Sequence, residues 1–202
     1  MNLAIDTLMH EHRVIEQVLS ALDGFAAGID RGEPADRATV RDFADFFANF
    51  ADKCHHGKEE DRLFARMTDH GFPRDAGPIG VMLAEHTAGR QHVGALRSIG
   101  EGTGPLSEAD RRAICFHAGA YVPLLRQHIV KEDSVLYPMA VRAIPEGEFE
   151  RMAQDFEAFE RTVMGEGEHE RFHALADRLI ARFAPVQGPG TTPQTASCHH
   201  RE

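Results

Sequence analysis

Apolar residues recur at helical spacing along most of the chain. Leu3, Leu8, Ile15, Leu19, Leu22 and Phe25 form a first stripe, which Gly28, Gly32 and Pro34 end. A second runs from Ala35 to about Asp69 through Val40, Phe43, Phe47, Phe50, Leu63 and Phe64, and Gly71-Phe72-Pro73 stops it. A third helix is predicted from about Pro78 to Gly100, with enough glycine to imply close packing on a neighbour. After the loop Gly102-Thr103-Gly104-Pro105, Ser107 and Asp110 have the spacing of an N-cap and open a fourth helix. It runs to about Arg142, with Pro123 as an expected kink and Pro138 as an expected break near the end. Shorter helices follow, to about Met164 and from about Glu168 to Phe183, separated by Gly165 and Gly167. No strand pattern competes with these stripes. The expected fold is all-α, an up-down-up-down four-helix bundle over 1–143. A C-terminal helical extension of two helices over 144–184 packs on it, and a disordered tail of Gly, Pro, Thr, Gln and Ser covers 185–202.

Polar positions inside the stripes repeat. Cys54-His55-His56-Gly57-Lys58-Glu59-Glu60-Asp61-Arg62-Leu63-Phe64 is echoed by Gln127-His128-Ile129-Val130-Lys131-Glu132-Asp133-Ser134-Val135-Leu136-Tyr137. Aligning Leu63-Phe64 on Leu136-Tyr137 pairs His55 with His128 and Glu59 with Glu132, 73 residues apart. Upstream, Glu11-His12 followed by Gln17 matches Glu85-His86 followed by Gln91, 74 residues apart. Two local patterns recurring in order at nearly one offset indicate a duplicated helical hairpin. A His and a Glu four residues apart share one helix face and can hold one ion. Counted from the helix ends, the histidines and glutamates fall at one height of the bundle. His56 and Glu60 form a second pair with the same spacing, so the register of the second helix has two readings. The Leu-aromatic alignment favours His55 and Glu59.

Composition narrows the chemistry. A net charge of −10 argues against a nucleic-acid surface, and no apolar run reaches the ~18 residues of a membrane span. The N-terminus carries no basic or apolar leader pattern. Three cysteines, Cys54, Cys115 and Cys198, make no paired framework, which fits a reducing, cytoplasmic setting. Thirteen histidines are many for 202 residues. Imidazoles with carboxylates and no thiolate suit iron or manganese and could take zinc, and six side chains exceed a closed four-coordinate zinc site.

The pattern H…HxxxE…H…HxxxE, with the HHxKEE stretch in one half and HxxKED in the other, resembles the hemerythrin-like (HHE cation-binding) family over about residues 3–143. That resemblance implies a four-helix bundle around two iron ions, oxo- or hydroxo-bridged. It implies as ligands His12, His55, Glu59, His86, His128 and Glu132, with Glu59 and Glu132 bridging. It also implies a small-molecule partner, O2, NO or peroxide, and either binding alone or redox turnover of peroxide or NO, or iron supply for iron-sulfur cluster repair. The family's oxygen carriers place a fifth histidine one turn after the third-helix ligand, where this chain has Arg90. Glu16, one turn after His12, is a possible substitute. Neither protein partner nor enzymatic step is fixed by these residues.

Other features compete for attention. His169-Glu170-Arg171-Phe172-His173 reads HExxH, a zinc-protease spacing, but no third ligand follows it before the tail. Tyr121, seven residues before His128, either faces the metals or packs in the core, the latter being favoured. Cys54 is expected as a buried thiol, and Cys198-His199-His200 as an incidental tail run.

Overall fold

The computed structural model describes residues 3–183, which contain helices and no strand. The expected tail, with Cys198, His199 and His200, lies outside the described residues. Helix α1 is Leu3–Asp30, α2 covers residues 37–69, α3 is Gly77–Glu101 and α4 covers residues 108–143. Helix α5 covers residues 146–164 and α6 is Glu168–Phe183.

Local chemistry explains the ends. Helix α1 stops where Gly32 takes φ +82° and the Glu33 amide donates back to the Gly28 carbonyl at 2.9 Å. Helix α2 starts two residues later than the apolar pattern suggests. Asp36 is its N-cap and accepts from the Thr39 amide at 2.7 Å. Ser107 and Asp110 form a reciprocal capping box on α4. Gly100 of α3 serves close packing, since a Cβ there would stand 2.9 Å from the Arg41 backbone nitrogen, whereas Gly94 faces open space.

Pro138 does not break α4, which continues to Ala143. It follows a π-helical turn, Glu132–Leu136. The missing proline N–H therefore falls where the regular bonding ladder is already interrupted. Helix α2 carries two such stretches, Phe47–His56 and Glu59–Leu63. The sequence pattern did not show them, because apolar spacing barely registers one extra residue per turn.

Helix α1 packs on α4, α4 on α3, α3 on α2, and α2 returns to α1. Helices α5 and α6 lie mainly over α1 and α2. The apolar side chains gather in two clusters. One holds Ile15 to Ile29 of α1, Val40 to Ala51 of α2, Val93 and Leu96, and Ile114 to Ile129. The other holds Ala4 to Leu8, Leu63 to Met67, Ile79, Met82 and Leu136 to Ile144. Each of the four long helices passes from one cluster to the other, and the interval between them is polar. Glu11, His12, His55, His56, Lys58, Glu59, His86, His128 and Glu132 are buried there. Burying so many polar groups is costly unless each finds a partner.

Candidate metal centre

The π-helical stretches of α2 shape this polar layer. With more residues per turn, adjacent side chains diverge by a smaller angle, and His55 and His56 are both buried. The two sequence readings therefore resolve unequally. Both histidines enter the core with Glu59, while Glu60 turns aside to bond His86 Nδ1 at 2.7 Å.

Two sets of ligand-type atoms converge. One atom from each of His12, His55, Glu59 and Glu132 lies within 4.8 Å of the others, and the same holds for His56, Glu59, His86 and His128. Glu59 belongs to both sets. Its Oε2 lies 3.8 Å from His55 Nε2 and 3.5 Å from His86 Nε2. Glu132 also spans them, with Oε2 3.2 Å from His12 Nε2 and Oε1 3.0 Å from His128 Nε2. All six residues expected from the resemblance thus meet in one layer, drawn from four helices.

The structure holds atoms in this layer that the protein itself does not satisfy. His55 Nε2, Glu59 Oε2 and both carboxylate oxygens of Glu132 are buried without a hydrogen-bond partner. Such atoms are rare in folded proteins, and here they face one another. Imidazole nitrogen and carboxylate oxygen form the donor set of first-row divalent ions, so the residues present fit bound metal.

A surrounding shell fixes the rings. His12 Nδ1 bonds Asp133 at 2.8 Å, His55 Nδ1 bonds Glu11 at 2.9 Å, His128 Nδ1 bonds Glu85 at 2.9 Å, and His56 Nδ1 bonds Asp52 at 3.2 Å. Each Nδ1 is thereby committed to a carboxylate, leaving Nε2 for the centre. Cations back the carboxylates in turn. Lys58 bonds Glu11, Lys131 bonds Glu85, Arg13 bonds Asp133, and Arg90 bonds both Asp52 and Glu60. The Glu-His echo in the sequence was the sign of this shell, since Glu11 and Glu85 each orient a histidine of the opposite helix.

Arg90 is thus not a ligand position. His56, stacked on His86 with ring centroids 3.8 Å apart, supplies the extra imidazole on that side. Glu16 does not reach the centre; it pairs with Arg13 at 3.1 Å. Tyr121 is a core residue, edge-on to Phe47 with centroids 5.0 Å apart. The tyrosine at the centre is Tyr137, which had served only to align the repeats. Its hydroxyl donates to Glu59 Oε1 at 2.6 Å and lies 3.3 Å from His12 Nε2. Cys54 is buried as expected, and burial pushes its thiol up to about 12.

Proton affinities divide along the layer. Burial and the neighbouring Glu132 charge push the Glu59 carboxyl well above its ordinary range. Burial works the same way on Glu132, but His128 and His12 hold it well below. Burial lowers His128, yet Glu132 and Glu85 raise it to about 9. Burial and His12 bring His55 down to about 4. For Glu11, burial opposes ionisation, and the His55 bond and Lys58 charge override it, to about 2.

In the HExxH segment Glu170 is exposed. Among the described residues His173 joins no group of three ligand-type side chains, so hydrolytic zinc chemistry gains no support. No helix among the described residues is long and apolar enough to cross a membrane.

A helical fold with a buried layer of paired imidazoles and carboxylates defines a metal-binding helical protein. The comparisons agree. The chain belongs to the hemerythrin HHE cation-binding domain family, whose model matches residues 3–140. It is similar to uncharacterized proteins of Mycobacterium bovis and Mycobacterium tuberculosis, 24% identical over 179 residues, covering 87% of this chain and 67% of theirs. It is also similar to the iron-sulfur cluster repair protein YtfE of Musicola paradisiaca, 31% identical over 94 residues, 45% of this chain and 42% of that one. No solved structure matches the chain.

Proposed function

We propose that this is a non-haem di-iron protein that binds O2, NO or peroxide at a carboxylate-bridged iron pair in the core of an up-down-up-down four-helix bundle. The observation that carries the reading is the pair of ligand sets sharing Glu59, with four buried atoms left without partners. One position would use His12, His55 and the two glutamates. The other would use His56, His86, His128 and the same glutamates. Bound there, iron would supply reversible electron transfer to a small molecule.

The protein's own part is to hold and shield. The Nδ1 carboxylates fix ring direction, Tyr137 donates to Glu59, and the apolar clusters above and below keep water from the layer. A cavity of about 160 Å³ is lined by exposed Gly94 and Arg97 and by buried His56 and His86. It supports entry of a molecule of a few atoms on the His56 side. A cytoplasmic setting belongs to the same reading.

A second reading is redox turnover of peroxide or NO, or iron donation for iron-sulfur cluster repair. The likeness to a repair protein over 94 residues favours it. Metal content of protein purified without chelator, read with its absorption spectrum before and after O2, peroxide and NO, tests both. About two irons per chain and a reversible O2 adduct support binding, whereas catalytic loss of peroxide or NO supports turnover. Zinc, or no metal, in the layer would overturn both.

A further inference from the structure

The HExxH segment contributes nothing to the centre described above, yet its two histidines meet through their ring nitrogens. His169 and His173 lie one turn apart on α6 and are half-buried, with their Nε2 atoms 2.9 Å apart. Two imidazoles bound side by side to one ion, each at about 2.1 Å, place their nitrogens roughly 3.0–3.4 Å apart. Inside the candidate centre, His86 and His128 face each other through the same atoms at 3.0 Å.

His169 is placed differently from the central histidines, whose Nδ1 atoms each bond a carboxylate. Its Nδ1 is turned inward, buried and without a hydrogen bond, 3.6 Å from Glu160 Oε2. Nε2 is the nitrogen that meets His173. A cavity of about 240 Å³ adjoins His169 and is lined also by His10, Glu11 and Glu160.

The inward side of His169 is already balanced. Glu11, Cys54 and Glu160 approach it there, but the Lys58 ammonium bonds both Glu11 and Glu160. An internal cation thus occupies that side, and the Nε2 pair is the one available.

We propose that His169 and His173 form a separate, peripheral site for a divalent transition ion of borderline softness, such as Zn(II), Co(II) or Fe(II). Imidazole suits these ions, and the site draws on α6 rather than on the central layer.

The test is a Co(II) titration of the iron-loaded, full-length protein under anaerobic conditions, followed by the visible ligand-field bands. The wild-type protein is compared with a His169→Ala/His173→Ala variant and with His92→Ala. His92 belongs to another surface histidine pair, its Nδ1 3.1 Å from that of His117, and serves as the control. The expected result is one further Co(II) per chain in the wild type and in His92→Ala, lost in the double variant with iron content and melting temperature unchanged.

Equal Co(II) uptake by the wild type and the double variant would overturn the proposal. Loss of the extra ion in His92→Ala but not in the double variant would do the same. If the centre holds no iron, the difference between wild type and double variant can still be read, so failure of the di-iron reading is distinguishable from failure of this site. A His173→Gln variant keeps the side-chain size should the double variant unfold.

Discussion

The two hairpins, α1 with α2 and α3 with α4, are built to one plan and finished differently. Glu11, His12, His55, Lys58, Glu59 and Glu60 correspond to Glu85, His86, His128, Lys131, Glu132 and Asp133. The bonds correspond too: Glu11 ties His55 to Lys58 as Glu85 ties His128 to Lys131. Glu60 reaches His86 as Asp133 reaches His12. The plan supplies a centre of near two-fold symmetry. The departures are His56 against Ile129, Phe64 against Tyr137, and an α5 that covers only the first hairpin's lysine. The duplicated frame sets where the shared histidines and glutamates go, and its unpaired residues make the two halves inequivalent.

The largest expected effect comes from breaking what the halves share. Glu132 spans both ligand sets, so Glu132→Ala should lose both ions. Removing one partner of a buried charged set should also cost about 3–5 kcal/mol. Metal analysis and a thermal melt read the two effects together, and a variant with full metal content and an unchanged melting temperature would refute the site. Next comes the first departure. His56 belongs to one ligand set only, so His56→Ala should reduce the metal content from about two ions to about one, while Ile129→Ala leaves it unchanged. Equal loss in both variants would mean that His56 acts through packing.

The lysines sharpen the comparison further. Lys58 is fully buried between Glu11 and Glu160, whereas the Lys131 side chain is 40% exposed. Lys58→Met leaves a buried carboxylate without its cation and should cost about 3–5 kcal/mol. Lys131→Met should cost under about 1 kcal/mol, because solvent screens that pair. Denaturant unfolding of the two variants decides it. The same clamp sets a pH dependence. Glu11 is held at about 2 against its ordinary 4.5, so its contribution is present above pH 4.5 and fades as pH falls towards 2. In Glu11→Gln that part of the acid-unfolding curve, followed by circular dichroism, should flatten, with a smaller change in Glu85→Gln.

Much of this was legible because the duplication exposed it. Helix ends marked by Gly28, Gly32, Pro34, Ser107 and Asp110, together with the two HxxxE frames, carried the helices and the six central residues. What stayed hidden was hidden for physical reasons. The π-helical stretches add one residue to a turn without disturbing the apolar stripe, so His56 and Glu60 read as a rival pair rather than as an added inward histidine and an orienting carboxylate. Asp36 caps α2 through a single side-chain bond two residues from a proline that already marked a loop. Tyr137 read as an aromatic equivalent of Phe64, since both are buried and alignment registers shape more readily than a hydroxyl. Glu16 and Arg90, judged by spacing alone, are claimed by Arg13 and by Asp52 with Glu60.

Tyr137 gives the smallest and most selective test. Tyr137→Phe makes the second hairpin match the first at this position and removes one buried donor to Glu59, at a cost of about 1 kcal/mol. Ion count should stay at two, because the Nδ1 bond to Asp133 still orients His12 without the hydroxyl. Glu59 itself should hold metal about tenfold less tightly, as expected when a ligand loses its orienting bond. Chelator competition measures that change separately from the melt. The reciprocal Phe64→Tyr places a hydroxyl beside His86, where Glu132 is the counterpart of Glu59. If the two substitutions changed metal affinity equally, the asymmetry of the centre would lie elsewhere. If only Tyr137→Phe does so, one hydroxyl distinguishes the two metal positions on the Glu59 side.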